Sequence, residues 1–238
     1  MSLMRSLSAA FAALSLSCGA HALPVNWANW TAGTPGPNGT ANGSFNTATG
    51  NVNISYTGEV AFIETGTGTD YFNPSTPYTS ALVDNPPPAA EMIALSVAAS
   101  KTLSFSQAVD NLFFAVVSLN GNGYRFNSDF EIVSTGQGFW GNGTLTKVNL
   151  GGGQFQLNGT GEPHGLIRFT GSVSSITWTS LTNEFWNGFT VGTYGIASEV
   201  PTTPPTTPPV TAIPEPETYA LMLAGLALLG HVALCRAK

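Results

Sequence analysis

Leu112-Phe113-Phe114-Ala115-Val116-Val117 is apolar at every position, and its reading decides the fold. A half-buried strand alternates polar and apolar residues. A short run that is apolar on both faces, rich in aromatic and β-branched residues and closed by turn signals, reads as a strand in mid-sheet, covered above and below. The closing signal follows at once in Asn120-Gly121-Asn122-Gly123, where Asn-Gly supplies the positive φ of a tight hairpin turn.

Outward from this run the pattern repeats. Asn51-Val52-Asn53-Ile54-Ser55-Tyr56 alternates with period two, and Glu59 to Ile63 continues it past Gly58. Met92 to Val97, Leu103 to Phe105 and Leu112 to Leu119 are further strands. Phe130 to Val133, Thr144 to Leu150, Gln154 to Leu157, Leu166 to Phe169, Val173 to Thr179 and Phe189 to Ile196 follow. Gly151-Gly152-Gly153 predicts a hairpin tip, and Asn142-Gly143 and Asn158-Gly159 predict turns. Asp84-Asn85-Pro86-Pro87-Pro88 reads as a surface loop, and Thr31 to Asn51, dominated by Gly, Asn, Thr and Pro, as loosely ordered chain. Many short strands with glycine turns and no sustained helical period predict an all-β body, an antiparallel β-sandwich or jelly roll, over residues 23–199.

Both cysteines, Cys18 and Cys235, fall near the chain ends, so the body holds no disulfide and no cysteine metal site and relies on its core. Charged residues make up 8% of the chain and the net charge is −6. The body's basic residues, Lys101, Arg125, Lys147 and Arg168, are scattered singly. Nucleic acid needs a basic stripe to displace counterions, so it is excluded as a partner.

Catalytic constellations are sparse. His164 is the body's single histidine, without a Gly-x-Ser-x-Gly elbow for a hydrolase triad, and beside Glu162-Pro163 and Gly165 it reads as a solvated turn residue. One histidine without cysteine argues against zinc. Glycoside cleavage needs two acids flanking a sugar bond. Asp129 and Glu131 share a face of one strand by alternation, whereas Glu59 with Glu64, or Glu162 with Glu184, meet only through the fold. Asp70, Asp84, Asp110 and Asp129 are hard oxygen ligands suited to calcium, but no Asp-x-Asp-x-Asp loop gathers them. The reading that follows is a protein without catalytic residues or a cofactor, with calcium kept open. The tryptophans point to binding instead. Trp140 and Trp186 sit among Gly and Asn in loops, where an indole offers a sugar ring an apolar face beside amide hydrogen bonds, while Trp178, on a strand, suits the core.

The two ends are addresses. Arg5, the apolar Leu7 to Leu16 and Ala20-His21-Ala22 form a signal peptide over residues 1–22, with cleavage between Ala22 and Leu23. Residues 200–211, with Thr-Pro repetition, read as an extended linker. Ala212-Ile213-Pro214-Glu215-Pro216-Glu217-Thr218-Tyr219 then leads into an apolar run ending at Cys235, followed by Arg236-Ala237-Lys238. Residues 219–235 are near the lower length limit for a membrane-spanning helix, with Arg236 and Lys238 as a basic stop on the cytoplasmic side.

The Pro214-Glu215-Pro216 triplet, the single hydrophobic segment and the basic end, in that order at the C-terminus, resemble the PEP-CTERM sorting signal. The resemblance implies recognition by an exosortase at the inner membrane, cleavage near the triplet, and delivery to the cell surface or extracellular matrix. Ser134-Thr135-Gly136-Gln137-Gly138-Phe139-Trp140-Gly141-Asn142-Gly143, Ser175-Ile176-Thr177-Trp178-Thr179 and Trp186-Asn187-Gly188-Phe189-Thr190-Val191-Gly192 look like the β-rich ectodomains that precede such tails, a group to which no chemistry is assigned. The sequence therefore predicts an exported, non-catalytic surface or matrix protein associated with exopolysaccharide or biofilm. The alternatives are a carbohydrate-binding module using Trp140 and Trp186, and a secreted glycoside hydrolase.

Overall fold

A computed structural model describes residues 22–48 and 50–197. The expected signal peptide up to residue 21, the linker 200–211, the Pro214-Glu215-Pro216 triplet, the apolar run 219–235 and the basic residues Arg236 and Lys238 lie outside the described residues. Among the described residues no helix is long and apolar enough to cross a membrane. Leu23, the expected first residue after cleavage, is half exposed and makes an isolated parallel bridge to Val83.

The described body is antiparallel β-sheet with one 3-10 turn, Thr76–Tyr78. In chain order the strands are β1 (Asn26–Trp27), β2 (Asn29–Thr34), β3 (Gly36–Thr47), β4 (Gly50–Val60), β5 (Phe62–Thr65), β6 (Glu91–Leu95) and β7 (Ser100–Val117). They continue as β8 (Gly123–Phe126), β9 (Glu131–Gly136), β10 (Gly143–Gly151), β11 (Gln154–Gly161), β12 (His164–Ser180), β13 (Asn187–Thr193) and β14 (Gly195–Ile196).

The long strands β7 and β12 run antiparallel along most of their lengths and organise the rest. The second half of β7 is flanked by β13, which in turn pairs with β6 and through it β5. The first half of β12 carries β9 on its other side. At the opposite end, the first half of β7 pairs with β4, extended by β3 and β2. The second half of β12 pairs with β8, extended by β11 and β10. The two long strands thus belong to two arms of one branched sheet.

Both strands bend at the same level. The register shifts between Phe169 and Ser172, where β12 carries two residues against the single Asn111 of β7, and Asn111 takes a positive φ of 53°. Bulged residues and an asparagine in the left-handed region are standard means of turning a strand. The bend lets rings from the two arms meet. Trp178, from the second half of β12, lies 5.4 Å from Phe114 and 5.2 Å from Phe189. Tyr56 of β4 is 5.6 Å from Phe189. Leu112, Phe114 and Val116 face this core, while Phe113, Ala115 and Val117 face a second cluster with Phe72, Tyr78 and Val83 from the 66–90 segment. The run that predicts a doubly covered strand is paired on both edges and buried on both faces.

Four expectations are corrected. The described part of Thr31 to Asn51 is mostly sheet: β3 buries Gly39, Ala41, Gly43, Phe45 and Thr47 at every second position, so small residues that carry little β-propensity are held by burial rather than by local preference. The 120–123 turn does not close a hairpin, because β8 pairs with β11 and β12 and not with β7. Asn158-Gly159 lies inside β11 opposite Leu145 and Thr146; a side-chain carbon on Gly159 would overlap the Leu119 carbonyl oxygen, so its glycine serves close approach, not turning. Asp129 precedes β9 and does not share a strand face with Glu131. Asp129 is paired with Lys147, and Glu131 accepts from Arg168 Nη2 at 2.6 Å. The Gly151–Gly153 tip, by contrast, joins β10 to β11 as the sequence predicts, with all three glycines at positive φ.

Lys101, which reads in the sequence as one more scattered cation, is buried. Its ammonium donates to the Val97 and Ala99 carbonyls at 2.9 Å each and lies 3.9 Å from Glu59. Glu59 in turn accepts from the Ser96 amide and hydroxyl. Burial pushes the lysine down to about 8, against the opposing pull of the Glu59 charge.

Candidate functional site

The loops at one end of the β7–β12 pair converge on a cleft of about 300 Å³. The connection after β7 brings Ser118 and Asn120, the β9–β10 loop Trp140, the β11–β12 connection Glu162, and the β12–β13 connection Glu184 with Phe185 and Trp186. Backbone bonds tie these loops together. The Glu162 amide donates to Asn142 O at 3.0 Å, the Leu119 amide to Pro163 O at 3.4 Å, and the Glu184 amide to Ser96 O at 3.1 Å.

Trp140 and Trp186 come together here. Their rings are 6.0 Å apart at 76°. Tyr71, from the segment after β5, stacks on Trp140 at 6.4 Å and meets Trp186 edge-on at 5.0 Å. Phe139 and Phe62 flank the pair from either side. Despite these contacts Trp140 is 52% exposed, and the cleft residue Phe185, outside the ring cluster, is 94% exposed, an unusual placement for large apolar rings that otherwise fill cores. The other three tryptophans are buried: Trp178 in the core, Trp30 donating Nε1 to Thr190 Oγ1 at 3.1 Å, and Trp27 donating to Asn85 O at 3.0 Å.

The Trp140 loop is seated by two features. Gly138 donates its amide to Gly141 O at 2.8 Å, closing a tight turn. A side-chain carbon on Gly138 would overlap the His164 ring, so the loop can lie on the imidazole only with glycine there. His164 itself is fully buried at the head of β12, with Nδ1 2.8 Å from Tyr78 Oη, and Nε2 without a hydrogen-bond partner among the described residues. The expectation of a solvated turn histidine is therefore corrected: Pro163 and Gly165 on either side are buried too, and the ring is floor rather than rim. Burial pushes it down to about 4.

The polar wall is acidic. Glu162 accepts from the Ser118 hydroxyl and the Asn120 amide. Glu184 accepts from Asn122 Nδ2 at 2.6 Å and from Asn187, whose own Oδ1 takes the buried Tyr124 hydroxyl. Burial raises the Glu184 carboxyl above the usual carboxylate range and the nearby Glu162 charge adds to the rise, while the Asn122 and Asn187 amides oppose it. Glu162 and Glu184, which the sequence could join only through the fold, line one cavity. Glu59 and Glu64 do not join them: Glu59 is held by Ser96 and Lys101, and Glu64 accepts from the Thr69 amide. Asp70, Asp110 and Asp129 are each engaged locally, with the Phe72 amide, Asn111 and Lys147 respectively. Among the described residues no three acids or histidines group to hold a metal ion.

The aromatic partners Tyr71, Phe139 and Phe185 escape the sequence reading, as do Ser118 and Asn120. A signal was present in Phe139-Trp140 and Phe185-Trp186, two adjacent bulky pairs in glycine- and asparagine-bearing loops with no alternation to bury them.

The motif model for the PEP-CTERM protein-sorting motif matches residues 212–237. No curated protein and no solved structure matches the chain. The C-terminal motif and the antiparallel body together describe an exported protein that carries a PEP-CTERM sorting motif and is handled by an exosortase at the membrane.

Proposed function

We propose that the exported body is a non-catalytic glycan-binding β-sandwich of the cell surface or extracellular matrix, holding exopolysaccharide in its Trp140–Trp186 cleft. In this reading residues 1–22 are a signal peptide removed at Ala22–Leu23, and the tail anchors the precursor until it is cut near Pro214-Glu215-Pro216. The observation that carries the reading is the half-exposed Trp140 edge-to-face with Trp186 beside hydroxyl, amide and carboxylate groups. Indole faces cover the apolar side of a pyranose, and side-chain amides fix its hydroxyls. The doubled-back sheet with one core between its arms supports the sandwich.

The test is co-sedimentation of the full-length chain, purified in detergent, with the exopolysaccharide of its own host. Saturable binding is expected, with at least about a tenfold loss on Trp140→Ala or Trp186→Ala while the far-ultraviolet spectrum is unchanged, as for an aromatic hot spot. Unchanged binding in both variants refutes the cleft.

A second reading has a specific observation in its favour. Burial holds Glu184 above the usual carboxylate range, as a general acid needs, and Glu162 lines the same cleft as the second carboxyl that glycoside cleavage uses. New reducing ends released from the bound polysaccharide, and abolished by Glu184→Gln, would replace the non-catalytic assignment with this one.

A further inference from the structure

The cleft's charge is unmatched. The described body has four basic side chains, and each is engaged elsewhere. Lys101 faces Glu59, Lys147 faces Asp129, Arg168 faces Glu131, and Arg125 donates to Gln156 at 3.3 Å. Glu162 and Glu184 are held only by neutral groups, the Ser118 hydroxyl and the amides of Asn120, Asn122 and Asn187. Two carboxylates that line one cavity, with no basic side chain of the described body at either, favour a positive ligand and repel a negative one.

The indoles of the same cavity make the same selection by another route. Trp140 and Trp186 line the same cavity as the two acids, and Trp140 keeps half its surface in solvent. Indole is the strongest side-chain partner for an ammonium group, and rings around a cationic nitrogen are a known recognition mode. Carboxylates and indoles lining one cavity suit a ligand with a protonated amine on an otherwise flat, hydroxyl-bearing body.

We propose that the cleft selects glycans bearing free amino groups, a partly deacetylated amino-sugar polymer, seating the ammonium between Glu162 and Glu184 and the sugar ring against Trp140 and Trp186. This rests on the glycan-binding reading and names its ligand class. N-acetylation removes the positive charge, and a uronic acid adds a negative one, so both weaken binding. The size of the space, at the small end for ligand sites, suits one or two sugar units of a longer chain rather than an extended segment.

The experiment titrates the full-length chain in detergent with glucosamine oligomers, their fully N-acetylated counterparts, oligogalacturonate and oligolysine, at a pH where the amine is protonated. The glucosamine oligomer is expected to bind best, and Glu162→Gln and Glu184→Gln each to lower its affinity about tenfold, the worth of one charge-assisted hydrogen bond, without changing the acetylated form. Glu131→Gln, the same charge change outside the cleft, is expected to leave all four titrations unaltered. Equal loss from Glu131→Gln would assign the attraction to net charge and overturn the proposal. Equal affinity for the acetylated oligomer, or indifference to both cleft variants, would overturn the selection while leaving glycan binding standing. Tighter binding of oligolysine would overturn the sugar assignment. No binding of any oligomer, with native exopolysaccharide also left in solution, would remove the glycan reading itself.

Discussion

Two aromatic clusters in this body obey the same contact geometry and differ in almost everything else. In the core, Trp178, Phe114, Phe189, Tyr124 and Phe126 meet at 4.8–6.3 Å, mostly edge-to-face. In the cleft, Trp140, Trp186, Tyr71 and Phe139 meet at 5.0–6.4 Å in a similar mixture of angles. The core rings sit on strands at positions that alternation sends inward, and all are buried. The cleft rings sit in loops, and Trp140 keeps half its surface in solvent. Ring–ring contact therefore does not distinguish structure from function here; the element that carries the ring does.

The comparison is broken or kept by three measurements. The largest effect is expected from Trp178→Ala, which opens a cavity between the two arms and lowers unfolding free energy by about 3–5 kcal/mol, read as a drop in urea midpoint at constant m-value. Trp140→Ala is expected to cost under about 1 kcal/mol. If the two cost the same, the cleft is a second core and has no claim as a site.

The next effect comes from His164, the buried ring on which the Trp140 loop is seated. Its folded value of about 4 lies below the ordinary 6.5. Above pH 6.5 the ring is neutral in both states and contributes no pH dependence. Between 6.5 and 4 the unfolded chain takes up a proton that the folded one refuses, so stability falls as pH falls, by about 3 kcal/mol in all. Raised carboxyls at Glu64, Glu91 and Glu184 push stability the other way as pH rises past their unfolded values, so the histidine is isolated by comparison with His164→Asn, which keeps a polar group facing Tyr78. Parallel pH profiles for the two proteins would show that the ring is not sealed.

A smaller effect on stability than those of Trp178 and His164, and the sharpest on function, is expected from Gly138→Ala. The added carbon meets the His164 ring and forces the loop to shift, at about 1–3 kcal/mol. Glycan binding should fall with it although no atom of the cleft wall is changed. Full binding in a Gly138→Ala protein would mean that Trp140 is positioned by its ring neighbours alone.

The strands were legible because their signals are local. Leu112 to Val117 needed a partner on each edge and a layer on each face, and has both. Asn51 to Tyr56 needed one buried face, and β4 buries Val52, Ile54 and Tyr56. What failed locally was composition. Thr31 to Asn51 looks like loop because glycine and asparagine disfavour strands, yet packing under Trp30 and beside β4 outweighs that preference. A lone lysine in a polar stretch gave no hint that Lys101 is buried, since its partner Glu59 arrives from another strand. The indoles at Trp140 and Trp186 could each be flagged for their loops, but their meeting depends on four connections closing at one end of β7 and β12, and no spacing encodes that.

The position of β13 has a consequence for how the protein comes into being. It is inserted between β6 and β7, and β1 pairs back to it, Asn26 with Thr193. The middle of the sheet is thus filled by almost the last strand to emerge, and the first strand has nothing to pair with until then. Contacts this distant along the chain form slowly. The sheet can close only once nearly the whole body is available, so an incomplete body is left with its middle unfilled and its first strand unpartnered.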